Sequence, residues 1–301
     1  MSPRIYGGRE CWVYRASSPD ELCGHHPELV EQALRGDAPD YLLYSPHRES
    51  NRGPFGLEGP SGSHAVALTS ESLIVSRDQH RRSIKPSVRS IPLASILTMA
   101  IGEALTLGWL EVRYAVENTA EAEVVFFHSS GIEQFRNVVR LWLQRQSCRV
   151  DAGSDNDSRW TSSPPYVVTQ TRPLVRDLRL LEIVNVPEAW ADVRGRSRCR
   201  AAASVMILMD SAVLLAESER PLEPGMLMFG VNVTCLSTRA LSTVGLRLPD
   251  DPNENDITLT MTVARHGVCH HVSRDLAMPS AAASHLLVRL ASRSRSWEGT
   301  A

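Results

Sequence analysis

Residues 65–78, AVALTSESLIVSRD, constrain the fold most, because their pattern returns at 205–218 as VMILMDSAVLLAES. Each copy has an apolar run of four, a polar turn, a second apolar run and a polar exit. The turns are Thr69-Ser70-Glu71-Ser72 and Met209-Asp210-Ser211-Ala212. Short runs rich in Val, Ile and Leu on either side of a tight polar turn predict a β-hairpin. A hairpin that occurs twice predicts two similar folding units.

The segments downstream of the two hairpins agree with this. After the first, alternation of Ile91, Leu93, Leu97, Met99 and Ile101 predicts a strand that Gly102 breaks. Leu110, Val112 and Tyr114 alternate against Glu111 and Arg113, and EVVFFH at 123–128 reads as a more fully buried strand. Ser130 and Glu133 have capping-box spacing, ahead of a helix with Ile132, Phe135, Val138, Val139, Trp142 and Leu143 on one face. The aromatics Phe126, Phe127, Phe135 and Trp142 are expected to be core between sheet and helix. After the second hairpin, RALSTVGLRL at 239–248 answers EALTLGWLEV at 103–112. Ile257, Leu259, Met261 and Val263 alternate with threonines, VCHHVS predicts a last strand, and 280–290 a closing helix. Strands in series closed by one amphipathic helix make a bent antiparallel sheet plugged at one end.

Upstream, Pro27 and Gly36 bracket a short helix at 27–34, YLLY at 41–44 is a first strand, and 45–63 is a Gly-, Pro- and Ser-rich loop. The expected organisation is an N-terminal arm at 1–26, a first unit at 27–147, a flexible linker at 148–172, a second unit at 173–293 and a polar tail at 294–301. The 301 residues suffice for two domains with real cores.

A net charge of −2 argues against a nucleic-acid binder. Six cysteines without a CxxC, and no basic-then-apolar leader at Met1, predict reduced thiols in a cytoplasm. Residues 93–112 carry two charges, Glu103 and Glu111, and are long enough to span a bilayer, but Glu103 sits mid-segment and the counterpart at 229–248 carries Asn232 and Arg239. No membrane span is expected.

The run HAVALTSESLIVSR, then IPLASI, GWLEVRY, VVFFH and the helix IEQFRNVVRLWL, resembles bacterial pleckstrin-homology-like domains, with GRAM-like domains close behind. The likeness covers about 41–144, and a weaker copy spans about 174–292, where FGVNVT replaces IPLASI. The resemblance implies a mainly β (α+β) chain of two bent antiparallel sandwich or barrel domains, each closed by a C-terminal helix. It also implies a binding or scaffolding module without catalytic machinery or cofactor. Eukaryotic relatives often bind inositol phospholipids through basic residues in the first hairpin loop, which here is Ser70-Glu71-Ser72.

The first expectation for function is therefore binding of a protein or peptide, at an exposed sheet edge or in the groove between strand and closing helix. The alternative is a peripheral adaptor that meets anionic lipid through the one basic cluster, His80, Arg81, Arg82, Lys85 and Arg89. The third, a hydrolase or zinc-site protein, is disfavoured. GPSGSH is only superficially like a nucleophile elbow, and no phosphate-cradling loop occurs. Asp250, Asp251, Glu254 and Asp256 do not fit an EF-hand. Cys23-His25-His26 and Cys269-His270-His271 are zinc-ligand types, but neighbours on a strand point to opposite faces, so no metal is expected.

Overall fold

The computed structural model describes residues 12–48, 62–78, 85–146, 160, 165–193, 196–221, 230–247, 256–278 and 280–292. The first half begins with β1 (Tyr14–Arg15) and α1 (His26–Leu34), then β2 (Tyr41–Arg48), β3 (Gly62–Leu68), β4 (Ser72–Asp78) and β5 (Ser87–Pro92). Next come β6 (Ile96–Ala104), β7 (Leu107–Val116), β8 (Thr119–His128) and α2 (Ile132–Gln146). The second half runs α3 (Pro165–Val175), β9 (Leu180–Val186), β10 (Ala189–Val193), β11 (Arg196–Ala201), β12 (Ser204–Met209), β13 (Ala212–Ser218) and β14 (Val231–Ser237). It closes with β15 (Leu241–Arg247), β16 (Asp256–Arg265), β17 (Val268–Ala277) and α4 (Ser280–Ala291). With the short β1 and the β10–β11 arm set aside, one order occurs twice: a four-strand meander, a three-strand meander, a helix.

The chain is mainly β, in open antiparallel sheets. β1 to β5 form one sheet in chain order, β15-β16-β17 another, and β10-β11 a two-stranded arm. The remaining sheet has seven strands, β8-β7-β6-β14-β13-β12-β9, and belongs to both halves. Its centre is the antiparallel pair β6–β14, running from Val231 opposite Glu103 to Leu236 opposite Thr98. The fifth strand of the first repeat thus takes the fourth strand of the second as its neighbour.

Two large cores result. The first holds Leu43, Val66, Ile101, Phe127, Trp142, Val167 and Val233, so it draws on both halves. Phe127 and Phe135 stack there with ring centroids 3.8 Å apart. α3 packs on α2 and over β13 and β14, with Val167 and Leu174 fully buried. The second core lies between the seven-stranded sheet, the β15–β17 sheet and α4, around Leu97, Leu236, Leu259, Met261 and Leu286. α1 covers the outer face of the first sheet through Val30 and Leu34.

Both hairpins form where the sequence places them, and the apolar stretch 93–112 is a 3-10 turn followed by the β6–β7 hairpin. Several expectations need correction. Gly102 does not break its strand; β6 runs on to Ala104. A Cβ on Gly102 would lie 2.2 Å from Cζ2 of Trp109 and 2.6 Å from the Val231 carbonyl, so glycine is there to admit an indole. The Ser130–Glu133 capping box is not the cap: His128 Nδ1 accepts from the Ser130 N–H at 3.2 Å, opening a 3-10 turn that leads into α2. Phe126 faces away from α2, in a small cluster with Trp109 and Val124. The expected loop at 45–63 includes the end of β2 and the start of β3. The expected linker includes α3 from Pro165, and the arm includes β1, paired to β2. Most of 148–164 and of the tail lie outside the described residues.

Candidate functional site

A strand at the rim of a sheet offers a row of unpaired N–H and C=O groups, and the repeat allows its free edges to be compared position by position. β6 and β15 are each the fifth strand of their repeat, next to the closing helix. β6 carries β14 on its outer side and is buried from Ile96 to Gly102. β15 pairs, among the described residues, only with β16. Beyond Leu241 its residues alternate half-buried and exposed, with Val244 and Leu246 partly covered and Thr243, Gly245 and Arg247 open. α4 packs beside it, with Ala283, Leu286 and Leu290 turned inward and Val288 outward at 59% exposure. Among the described residues, the groove that β14 fills in the first half is thus open in the second. Two other edges are partly blunted: β5 ends on Pro92, which has no N–H to give, and the Phe126 carbonyl of β8 accepts from the Ser45 hydroxyl of β2 at 3.5 Å.

A second concavity, of about 710 Å3, lies where the β15–β17 sheet leaves part of the seven-stranded sheet uncovered. Its floor comes from β6, β7, β12, β13 and β14, and six consecutive residues of β17, His270 to Asp275, form a wall. Arg274 reaches Glu217 at 2.9 Å and Thr234 at 3.2 Å, and Arg113 pairs with Glu111 at 2.6 Å. At the base, Trp109 on β7 donates its indole N–H to Asn232 Oδ1 on β14 at 3.2 Å. Burial, with Arg113, His271 and Arg274 nearby, lowers the His270 pKa to about 4, so its imidazole is neutral at pH 7.

Compared with known proteins, the chain matches no family model, no curated protein and no solved structure.

The residues singled out from the sequence do not converge on one site. His80, Arg81 and Arg82 lie outside the described residues. Lys85 is exposed just before β5. Arg89 is held by two carboxylates of β8, Glu121 at 3.1 Å and Glu123 at 3.4 Å, so its charge is met within the chain. The two Cys/His clusters do not assemble a metal site: no group of three His, Cys, Asp or Glu suited to a metal occurs among the described residues. His26 is instead fully buried between two serines, with Nδ1 2.6 Å from Ser76 Oγ and Nε2 3.0 Å from Ser63 Oγ. His25 binds Asp78, Cys23 lies 3.7 Å from the Tyr14 hydroxyl, and His271 meets Thr262. No helix among the described residues is long and apolar enough to cross a membrane.

Sequence reasoning names sheet edges and helix grooves as a class but misses which edge is open. The missing information is the β6–β14 pairing. The β10–β11 arm is missed as well, because RSRCRA carries too little apolar alternation to read as a strand.

Proposed function

We propose that this chain is a non-catalytic binding or scaffolding protein, built from two pleckstrin-homology-like units, that takes up an extended protein or peptide segment as an added strand on the outer edge of β15 beside α4. The observation that carries this reading is β14 seated on β6. In the first half, the fifth strand of the repeat, flanked by its closing helix, has an antiparallel neighbour of about six residues. β14 also supplies the recognition pattern. Val231, Val233 and Cys235 enter the core below α2 and α3, while Asn232 and Thr234 face the polar cleft. An occupant of β15 with the same alternation would place apolar side chains against α4 and polar ones outward. Main-chain hydrogen bonds supply affinity in this mode and the alternate side chains supply specificity. Free thiols at Cys23, Cys199, Cys235 and Cys269 accord with work in a reducing cytoplasm. The lipid reading has less to draw on, since Arg89 on β5 is already paired.

The test is selection of displayed random decapeptides on the full chain, repeated with Val244→Pro and with Gly245→Pro. Successive N–H groups of a strand point alternately to its neighbour and to the free side. One proline therefore breaks the β15–β16 ladder and lowers the Tm, while the other blunts only the outer edge. Enriched sequences should alternate apolar and polar residues and should lose binding to the proline variant that keeps its Tm. Failure to enrich any sequence, or binding indifferent to both prolines, overturns the proposal.

A further inference from the structure

The two repeats can be matched residue by residue around the joint that unites them. The Leu93 N–H donates to the Glu71 carbonyl at 2.8 Å, and the Thr238 N–H donates to the Ser211 carbonyl at 2.9 Å. The register of β6 on β7 shifts between Ile96 and Thr98, and that of β15 on β16 shifts between Leu241 and Thr243. Pro92 ends β5 opposite Ser72, as Ser237 ends β14 opposite Ala212. Residues 87–91 of β5 therefore correspond to 232–236 of β14, and 98–102 of β6 to 243–247 of β15.

One matched set is joined and the other is not. Residues 98–102 pair with 232–236 at the centre of the seven-stranded sheet. Their counterparts both lie on rims: among the described residues β15 pairs only with β16, and β5 only with β4. The helices follow the same rule. α3 packs over β13 and β14 and against α2, which closes the first repeat. α1 covers the matching face of β4 and β5, and α4 closes the second repeat beside β15.

Nothing that blunts β5 reaches the matched positions. Pro92 lacks an N–H, but its counterpart Ser237 lies one residue beyond the last pair of the joint, Leu236 with Thr98. Arg89 is tied to Glu121 and Glu123 of β8. Its counterpart Thr234 is tied likewise to Arg274 of β17, and β14 still carries β6 on its edge. The Thr69 N–H donates to the Ser72 carbonyl at 2.9 Å, so Ser72 and Ile74 turn their backbone groups to β3, and Leu73 and Val75 turn theirs to Ile91 and Arg89. The backbone groups of Val88 and Ser90 are left pointing outward.

We infer that β15 takes β5 of a second copy of this chain, repeating the internal joint between molecules, with Thr243 opposite Ile91 and Leu246 opposite Val88 of that copy and with its α1 against α4. The inference rests on the reading of β15 as an edge that accepts a strand, and it names the strand. Leu246 and Val88 stand where Ile101 and Val233 meet inside the chain, and both are half-buried in the single copy. The two surfaces fit each other and not themselves, so the contact is head-to-tail and closes into a ring or runs on as a filament. Dilution dissociates it and leaves both edges open.

The experiment measures molar mass by light scattering on the full chain over a dilution series. The wild type should rise above the mass of one chain as its concentration increases. Ser90→Pro, which blocks β5, and the β15 proline that keeps its Tm should each stay at one chain. Val88→Pro takes the place of Ser90→Pro if the latter lowers the Tm. Mixed in equal amounts, the β5 and β15 variants should form a complex of one chain of each, because each supplies the edge that the other has lost. Decapeptides selected on β15 should still bind the β5 variant. A wild type that stays at one chain while the decapeptides bind overturns this inference and leaves the reading of β15 in place; loss of both overturns both. Self-association that survives the β5 proline, or a mixture that stays at one chain, overturns the inference as well.

Discussion

Val233 of β14 lies directly opposite Ile101 of β6, and both side chains are buried in a core that also holds Trp142 and Phe127. The two halves of the chain therefore share one sheet and one core and are not two beads on a string. Trp109 and Asn232 reinforce the joint, as does the hydrogen bond from the Ser237 hydroxyl to Gln146 Oε1 at 3.1 Å. The chain should unfold in a single calorimetric transition, with calorimetric and van't Hoff enthalpies in agreement. Ile101→Ala should cost about 2–5 kcal/mol and lower that one transition as a whole. Two separate transitions, of which Ile101→Ala moves only one, would contradict a shared core.

Gly102 is a packing position and not a turn. Its missing Cβ makes room for Trp109, and the nearest other atom is the Val231 carbonyl of the opposite half. Gly108 gives the same room to the Phe127 ring, 2.2 Å from where its Cβ would lie. An added methyl at Gly102 meets a buried indole and backbone, neither of which yields easily. Gly102→Ala should destabilise by about 1–3 kcal/mol, read from denaturant unfolding at unchanged m-value. Leu105→Ala, at the exposed tip of the same hairpin, should not cost as much.

Acid should destabilise the first half through His26. The Ser63 hydroxyl gives its only hydrogen to the Asp78 carbonyl at 3.2 Å, so toward His26 it accepts. That makes Nε2 the protonated nitrogen, and Nδ1 accepts from Ser76. A second proton on this ring would require the Ser76 hydroxyl to turn and accept. Burial, partly offset by Asp78, lowers the His26 pKa to about 4 from 6.5. Between those values the unfolded chain binds a proton that the folded chain refuses. The stabilisation is therefore complete above pH 6.5 and is lost as the pH falls toward 4. For this one group the loss amounts to roughly 2 kcal/mol between about pH 7 and about pH 5. Urea titrations across that range should show the slope, and His26→Asn should flatten it. His270, also lowered to about 4, supplies a remainder that His26→Asn leaves in place.

The local fold is legible in the sequence because local rules decide it. Alternation marks β16, the polar turn marks both hairpins, and one apolar face marks α2. Gly102 is misread because a glycine in a strand means either a break or a close approach, and only the ring of Trp109 decides between them. The start of α2 is misread because a 3-10 turn, capped by the His128 ring nitrogen, precedes the helix. The site is hidden for a further reason. Whether β15 or β6 is open depends on which strand pairs with β14, a choice made across more than a hundred residues that no local pattern records. Arg89 likewise looks like a free cation until β8 brings Glu121 and Glu123 to it.

The most direct measurement is residue-resolved amide hydrogen exchange along β15, in the free chain and with a decapeptide selected on it. If the β15 edge is open and accepts a strand, alternate amides from Thr243 to Arg247 should exchange quickly in the free chain, while their neighbours, bonded to β16, are protected. The fast set should slow when the peptide binds. Protection of every β15 amide in the free chain, or a fast set that the bound peptide leaves unchanged, would contradict the account.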